Sequence, residues 1–367
     1  MEALDLRPAF GGCFAGRRVL VTGHTGFKGS WLTLWLQSLG AVVGGLALDP
    51  EGPDSHWSLL GLDLPLDARV DLRNAEAIRE VINDFRPEIV FHLAAQALVR
   101  RSYREPAYTF AVNAGGVVNL LEAVRGCDAV RVVVNATTDK VYEPPAPPGG
   151  YAESHPLGGH DPYSASKACA EIICASYRRS FFSTGAGAAP VRLATARAGN
   201  VIGGGDWAEG RLVPDLVRAA ESGRPLRLRN PGATRPWQHV LEPLSGYLRL
   251  AQRLLQEPSL AEAWNFGPAA DATLTVAQLV ARMQALWPSV EVEHDVRPQP
   301  HEAEHLTLDC TKAAAGLGWK PAWDAATTVQ RTLDWYLALA TRREVRSRED
   351  LACYLRDARN SGQAWAT

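Results

Sequence analysis

Residues 17–41 read RRVLVTGHTGFKGSWLTLWLQSLGA and carry the strongest structural signal in the chain. An apolar run, Val19–Val21, ends at a turn, and glycines follow at Gly23, Gly26 and Gly29 before an amphipathic pattern begins. A strand, a glycine-rich turn and a helix in this order bind pyrophosphate, because the helix N-terminus offers unpaired N–H groups and the positive end of its dipole. The spacing is T-G-x-x-G-x-x-G rather than the commoner G-x-G-x-x-G. The stretch therefore predicts a dinucleotide-binding site.

The surrounding sequence repeats this strand-then-helix rhythm as far as about residue 200. Apolar runs such as EIVFHLAA and VRVVVNATTD alternate with helical patterns, which predicts a Rossmann-type, doubly wound parallel sheet. Beyond Gly203 glycine and proline become frequent. We expect an NAD-binding domain over 1–200 and a smaller, mixed α/β substrate domain over 201–367, with segments that return to pack on the first. The chain should end in a helix followed by a loose tail.

Residues after the second and third strands bear on the choice of cofactor. Asp49 ends the second strand about 20 residues after Gly29, where an acidic side chain binds a ribose 2′-hydroxyl and repels a 2′-phosphate. NAD is therefore expected rather than NADP, although Lys28 favours the opposite choice. Asp71 is expected to accept from the adenine amino group, with a strand-end cap as the alternative. The complete set expected to bind NAD is Gly23, Thr25, Gly26, Phe27, Lys28, Gly29, Asp49, Asp71, Leu72, Leu93, Ala94, Ala95, Asn113, Tyr163 and Lys167.

The segment YSASK places Tyr163 and Lys167 four residues apart, on one face of a predicted helix. A lysine ammonium beside a phenol favours the phenolate and lowers the phenol pKa from about 10. Such a tyrosine can take a proton from a sugar hydroxyl. The pair follows ATTDK, at the end of a predicted central strand, which is where a parallel sheet places its ligand crevice.

These motifs together resemble a known family. VTGHTGFKGSWL, TTDKVY, HDPYSASKACAE, RAGNVIGGGDWAEGRLVPD and RPWQHV stand in family order, so the chain is identified as similar to the extended short-chain dehydrogenases/reductases, and more narrowly to the nucleotide-sugar 4,6-dehydratases. GHTGFKGSW, TTDK and GGGDWA resemble the branch that acts on CDP-glucose, whereas dTDP-sugar relatives carry T-D-E.

The resemblance implies an NAD-dependent lyase that oxidises C4, eliminates water across C5 and C6 and returns hydride to C6. In it Thr138 orients the 4-hydroxyl, Tyr163 is the base, and Lys167 holds the nicotinamide ribose. Asp139 is the expected acid for the departing C6 oxygen. Lys140 is also assigned to catalysis, either as the base at C5 or as a cation that stabilises the enolate.

The same resemblance implies a CDP-glucose site, a homodimer or homotetramer, and a role in deoxysugar and polysaccharide (O-antigen) precursor biosynthesis. Arg235 and Arg297 match positions that hold the diphosphate. The full set expected to bind the substrate is Gln96, Ser102, Asn200, Arg211, Leu212, Val213, Pro214, Arg235, Asn265 and Arg297.

Composition excludes other classes of protein. The 367 residues carry a net charge of −2, which gives no electrostatic case for nucleic acid, and no apolar run reaches the length of about 18 residues typical of a membrane span. Six cysteines without a C-x-x-C pair suggest a cytoplasmic protein.

Three alternatives remain from the sequence. HEAEH, at residues 301–305, matches the zinc motif H-E-x-x-H but is flanked by prolines, and we expect no metal. The second alternative is a related epimerase or decarboxylase of the same superfamily. The third is a protein that binds NAD as a sensor and has no catalytic activity.

Overall fold

A computed structural model describes residues 5–182, 191–228, 230–268, 273–288, 290–294 and 307–367. The strands are β1 Arg18–Thr22, β2 Val42–Ala47, β3 Leu66–Arg69, β4 Ile89–His92, β5 Val132–Ala136, β6 Arg192–Ala198, β7 Val201–Ile202, β8 Leu226–Leu228, β9 Thr234–Pro236, β10 Gln238–His239, β11 Ala263–Phe266, β12 Thr273–Thr275 and β13 Val292–His294. The helices are α1 Phe27–Ser38, α2 His56–Leu60, α3 Ala75–Phe85, α4 Val99–Arg104, α5 Pro106–Phe110, α6 Gly116–Arg125, α7 Pro162–Tyr177, α8 Leu212–Ser222, α9 Leu241–Leu254, α10 Val276–Leu286, α11 Thr311–Leu317, α12 Ala325–Arg342 and α13 Ser347–Asn360.

A seven-stranded sheet forms the centre of the molecule. Its order is β11-β6-β5-β4-β1-β2-β3, and every neighbouring pair is parallel. The strand order reverses between β1 and β4, which is where a doubly wound sheet opens its ligand crevice. The predicted Rossmann-type fold is therefore confirmed.

Both faces of this sheet are buried, as the continuous apolar runs require. Along β1, Val19 and Val21 enter one hydrophobic cluster while Leu20 enters the other. The first cluster contains residues of α1 and α9, and the second contains residues of α3, α6 and α7. Alternate side chains of one strand thus supply two cores.

Local sequence explains where the helices at the crevice begin. The α1 helix follows Gly26, whose extended backbone leaves the first N–H groups at the turn. The Asp161 side chain accepts from Ser164 N at 3.0 Å, and Pro162 occupies the first turn of α7. This cap sets the start of the helix that carries Tyr163 and Lys167.

Two features of the second half differ from the sequence-based expectation or go beyond it. Ala263–Phe266 extends the central sheet as a parallel neighbour of β6, so the second half contributes directly to the first core. The expected loose tail is wrong, because Trp365 is buried and stacks on Phe10 with ring centroids 5.0 Å apart. The boundary near residue 200 stays a prediction. Within the described ranges, no helix has the length and apolarity to cross a membrane.

Candidate active site

The glycine turn between β1 and α1 is too tight for side chains at two of its three glycines. Gly23 has φ +76°, and a Cβ there would lie 2.7 Å from Ala94 N. A Cβ at Gly29 would lie 2.0 Å from Gly23 O, so only glycine allows the helix to pack this close to the turn. The turn also contacts the end of β2, since Thr25 Oγ1 donates to Leu48 O at 2.9 Å. This is the cradle that a pyrophosphate needs.

The segment after β4 forms the opposite wall of the turn. Leu93 N and Ala94 N both lie 3.2 Å from Thr22 Oγ1, which holds them beside the glycines. Asn113 fixes the continuation of this segment: its Oδ1 accepts from Gln96 N, and its Nδ2 donates to Gln96 O and to Ser166 Oγ, each at 2.9 Å. Asn113 therefore positions the backbone beside the crevice and links it to α7.

The two acidic residues expected at the adenosine end lie in different surroundings. The Asp49 side chain is 86% exposed, and its Oδ1 lies 3.3 Å from Arg69 Nε. Asp71 pairs with Arg73 at 2.7 Å, and that hydrogen bond lowers the Asp71 pKa from its ordinary value. An ionised Asp71 can still accept a hydrogen bond from the adenine amino group, as predicted. Its contacts in this structure, however, are those expected of a strand-end cap, which was the alternative.

A cavity of about 310 Å³ opens at the carboxyl end of the sheet, beside the glycine turn. Several of the expected site residues line it: Lys28, Thr138, Lys140, Tyr163, Asn200, Arg211, Leu212, Val213 and Pro214. Sequence reasoning missed other lining residues, among them Arg100, Tyr103, Glu209, Arg227 and Trp237. Glu209 and Trp237 lie within the family-like stretches RAGNVIGGGDWAEGRLVPD and RPWQHV. Arg100 and Tyr103 come from the short helix α4, and Arg227 comes from the short strand β8.

Three consecutive residues after β5 form the reacting wall. Thr138 Oγ1 donates to Asp139 Oδ1 at 3.0 Å, and Lys140 Nζ lies 3.5 Å from the same oxygen. Lys140 Nζ also donates to Asn200 Oδ1 at 3.3 Å. The second carboxylate oxygen, Asp139 Oδ2, is buried and has no hydrogen-bond partner among the described residues. Among the described residues Asp139 is 1% exposed and does not itself line the cavity, so it is connected to the cavity wall through Thr138 and Lys140.

Tyr163 and Lys167 share a helix face but have different partners. Burial raises the pKa of Tyr163 to about 12, against the opposing effects of a hydrogen bond with Thr138 and the charge of Arg211. Lys167 Nζ donates to Ala136 O at 2.9 Å, and burial lowers its pKa to about 8. The expected lowering of the Tyr163 pKa is therefore not found in this structure, because desolvation of the phenolate outweighs the charges around it.

Positive charge accumulates at this end of the cavity. Burial, together with the charges of Arg211 and Lys167, lowers the pKa of Lys28 to about 7. Arg211 donates to Asp206 Oδ2 at 2.9 Å, and the Asp206 carboxylate raises the Arg211 pKa. Cations in a partly dry cavity stabilise an alkoxide, an enolate or a diphosphate.

Three residues expected to bind substrate have their side chains engaged within the protein instead. Ser102 Oγ donates to Val99 O at 2.7 Å, and the Gln96 amide bonds to the backbone of Leu98. Asn265 is fully buried: its Oδ1 accepts from Tyr142 OH at 2.7 Å, and its Nδ2 donates to Tyr151 O at 2.8 Å. Within the described ranges, none of the three lines the cavity. Their assignment to substrate binding stays a prediction, and the contacts that their side chains make in this structure are structural.

Asn265 belongs to a buried polar network behind the reacting wall. Arg197 donates to Tyr142 OH at 2.8 Å and to Glu171 Oε2 at 2.9 Å. Glu171 also accepts from the hydroxyl of Thr137, the residue before Thr138, at 2.5 Å. Glu171 was missed, although its position four residues after Lys167 places it on the same helix face.

Some expected residues lie where the structure gives no side-chain description. Arg235 belongs to β9, which pairs antiparallel with β12, and its backbone alone is described. Arg297 and the HEAEH segment lie outside the described residues. Among the residues that are described, no group of three or more histidine, cysteine, aspartate or glutamate side chains is arranged to hold a metal.

Comparison with known proteins places this geometry in a family. The model of the family described as GDP-mannose 4,6 dehydratase matches residues 20–332. A curated CDP-glucose 4,6-dehydratase of Salmonella typhimurium is 46% identical over 93% of this chain and 95% of the relative. The fold and the cavity are those of an extended short-chain dehydrogenase/reductase that modifies nucleotide sugars. More narrowly, the chain belongs to the GDP-mannose 4,6-dehydratase family, which confirms the resemblance inferred from the motifs.

Solved structures agree with this assignment. A UDP-glucose 4-epimerase of Thermus thermophilus in complex with NAD has a TM-score of 0.74 and 27% identity, covering 87% of this chain and 99% of that one. DesIV, a dTDP-glucose 4,6-dehydratase of Streptomyces venezuelae with NAD and TYD bound, has a TM-score of 0.73 and 26% identity, covering 87% and 97%.

Proposed function

We propose that this protein is an NAD-dependent CDP-glucose 4,6-dehydratase, a hydro-lyase that converts CDP-glucose to CDP-4-keto-6-deoxyglucose and water. The observation that carries the proposal is that Thr138, Lys140 and Tyr163 line one cavity next to the glycine turn, with the buried Asp139 in contact with both Thr138 and Lys140. The 46% identity to the Salmonella enzyme supports CDP-glucose as the substrate.

The residues of the glycine turn fit NAD. Gly23 and Gly29 leave the turn free of side chains at its closest approaches, and the N-terminus of α1 faces it. Asp49 is exposed at the end of β2 and suits a ribose 2′-hydroxyl. When bound, NAD would supply a hydride acceptor for the sugar C4 and then a hydride donor for C6, so it would not be consumed. The NAD in the Thermus and Streptomyces structures supports this choice.

Proton transfer at the sugar O4 is assigned to Tyr163. Thr138 and Tyr163 both line the cavity, and the Thr138 hydroxyl favours the Tyr163 phenolate, so the two hydroxyls together can orient the 4-hydroxyl and take its proton. Lys167 donates to the Ala136 carbonyl and is held beside the end of β5, where its ammonium is suited to hold the nicotinamide ribose.

Elimination of water is assigned to Asp139 and Lys140. Asp139 Oδ2 has no protein partner among the described residues, and we propose that it is the atom that hands a proton to the departing C6 oxygen. Lys140 has an acceptor oxygen on each side, Asp139 Oδ1 and Asn200 Oδ1, and this environment suits an ammonium. We propose that Lys140 stabilises the enolate as a cation, with a base at C5 as the alternative.

The remaining cavity residues are assigned to the nucleotide sugar. Asn200, Arg211 and the start of α8 (Leu212, Val213 and Pro214) line the cavity beside the reacting wall. We propose that Arg211 meets negative charge on the sugar or the diphosphate. We retain Arg235 and Arg297 as proposed diphosphate ligands from the family resemblance.

Assembly and location complete the proposal. We propose a homodimer or homotetramer that pairs through α7, which leaves Ile172 57% exposed, with Phe181 also exposed just beyond the helix. All six cysteines are free thiols, which fits the reducing cytoplasm.

The test is to incubate the purified protein with CDP-glucose and, separately, with UDP-, dTDP- and GDP-glucose. Mass spectrometry should show loss of one water from CDP-glucose, and product formed in D₂O should carry deuterium from solvent. A product of unchanged mass would indicate an epimerase instead. The matched negative control is Tyr163→Phe, which keeps the ring but lacks the proton acceptor.

A further inference from the structure

Arg69, the last residue of β3, lies between two carboxylates at the edge of the cofactor crevice. Its Nη2 donates to Asp67 Oδ2 at 2.8 Å, and its Nη1 pairs with Asp67 Oδ1. Its Nε lies 3.3 Å from Asp49 Oδ1. The guanidinium therefore has its fork engaged by Asp67, while its Nε side faces Asp49.

This ion cluster stands where the adenosine ribose should bind. Arg69 pairs in register with Ala47 at the end of β2, just before Asp49. The Thr25 hydroxyl of the glycine turn donates to Leu48 O in the same segment at 2.9 Å. The Asp49 side chain is 86% exposed and the Arg69 side chain 32% exposed, so a ligand can reach both.

We propose that Arg69 is a masked phosphate-binding group, and that Asp49 makes the protein select NAD over NADP partly by occupying it. The inference rests on the proposed NAD-dependent function and deepens it. Asp49 then acts twice: its carboxylate repels a 2′-phosphate, and its contact with Arg69 Nε occupies a cation placed to bind that phosphate. Arg69 is thus a specificity-determining residue.

The structure separates Arg69 from Lys28, the other candidate for a 2′-phosphate. Lys28 lines the catalytic cavity, and the charges that shift its pKa are those of Arg211, Lys167, Asp139 and Lys140. Lys28 therefore belongs to the reacting end of the crevice, whereas Arg69 belongs to the Asp49 end.

The charges of the cluster predict what happens when Asp49 is neutralised. Asp49, Asp67 and Arg69 sum to one negative charge, and the buried His24 beside Asp67 has its pKa lowered by burial, so it adds no positive charge at neutral pH. Asp49→Asn brings the sum to zero and leaves Arg69 anchored by Asp67, with only an uncharged and weaker acceptor at its Nε side. A guanidinium binds phosphate strongly, so affinity for a 2′-phosphate should rise about 10- to 100-fold.

The experiment measures binding rather than turnover. Full-length protein stripped of cofactor is titrated by calorimetry with adenosine 5′-monophosphate and adenosine 2′,5′-bisphosphate, and then with NAD and NADP. The variants are the parent, Asp49→Asn, Asp49→Asn/Arg69→Gln and Asp49→Asn/Arg73→Gln. Arg73 is the matched control, because it is an arginine paired with Asp71 just after the same strand, β3. The ratio of the two adenosine affinities cancels effects on the adenine itself.

We expect this ratio to shift toward the bisphosphate by at least about tenfold in Asp49→Asn. The shift should disappear in the double variant with Arg69→Gln and persist in the one with Arg73→Gln. An unchanged ratio in Asp49→Asn, or equal losses in both double variants, would overturn the inference while leaving the NAD-dependent function intact. A parent protein that binds neither NAD nor the monophosphate would overturn both.

Discussion

Replacing Asp139 by asparagine should separate the two halves of the reaction. The introduced carboxamide would keep an oxygen to accept from Thr138 Oγ1, as Asp139 Oδ1 does at 3.0 Å. It would replace the partnerless Oδ2 by an amide nitrogen that cannot serve as the acid for the C6 oxygen. The pocket should accept the change because the neighbouring residue is Gly199, whose absent Cβ would lie 3.0 Å from Oδ2.

The expected magnitudes differ between the steps. A positioned general acid contributes roughly 10²–10⁴ in rate, or about 2.7–5.4 kcal/mol of activation free energy. Water loss should fall by that factor. Oxidation at C4 depends on Tyr163 and Thr138, whose contacts the substitution retains, so it should fall less than about tenfold, the worth of one ordinary hydrogen bond.

Rapid mixing with CDP-glucose under single-turnover conditions measures both steps. Reduced nicotinamide absorbance should accumulate in Asp139→Asn, while quenched samples show little keto-deoxy product. Glu209→Gln is the control, since Glu209 is a carboxylate that lines the cavity and has no assigned role. Oxidation and elimination falling by equal factors in Asp139→Asn, or elimination at the parental rate, would refute the assignment.

Three further predictions test the packing of the glycine turn, the role of Lys140 and the ionisation of Tyr163 and Lys167. Gly29→Ala, whose Cβ would meet Gly23 O at 2.0 Å, should lower the free energy of unfolding by about 1–3 kcal/mol and weaken NAD binding. Gly115→Ala, with open space around its Cβ, should instead raise the free energy of unfolding by about 0.4–1 kcal/mol. Chemical denaturation and cofactor titration measure these effects, and two variants of equal stability would contradict the packing argument. If Lys140 stabilises the enolate as a cation, Lys140→Arg should retain much more turnover than Lys140→Met, because arginine keeps a permanent positive charge but cannot act as a base. Two equally inactive variants would instead indicate that Lys140 is the base at C5. The plot of log kcat/KM against pH should rise up to about pH 8 and then level off. Below this pH the fraction of Tyr163 phenolate (pKa about 12) grows with pH, and above it this gain is cancelled because Lys167 (pKa about 8) loses its proton. A profile of the parent protein without this break would contradict the pairing of Tyr163 with Lys167.

Local sequence was sufficient wherever chemistry and geometry lie within one strand–turn–helix unit. The glycine turn, the strand ends at Asp49 and Thr138, and the helix carrying Tyr163 follow from short-range patterns that the structure preserves. The parallel sheet follows from the same patterns, because a continuous apolar run must be covered on both faces.

Short-range sequence patterns could not predict the contacts between segments that are distant in the chain. Asn265 lies in a family-like motif, but its amide is consumed by Tyr142 and Tyr151, more than a hundred residues earlier in the chain. The sequence around Trp365 is polar and predicts a loose tail, whereas in the structure Trp365 stacks on Phe10. The pKa of Tyr163 depends on how completely the folded chain excludes water from the phenol, and no spacing of residues encodes that.

The end of the chain supports the cavity through a loop in its middle. Tyr336 OH, from α12, donates to Asp206 O at 2.6 Å, and Trp31 Nε1, from α1, donates to Gly204 O at 2.9 Å. A Cβ at Gly204 would lie 2.0 Å from the Trp335 ring, so the loop packs directly on α12. The Asp206 side chain in turn holds Arg211 at the cavity. The position of this cation therefore depends on both ends of the chain, which is why a catalytic cavity formed mainly by residues 97–237 requires helices that lie far from it in sequence.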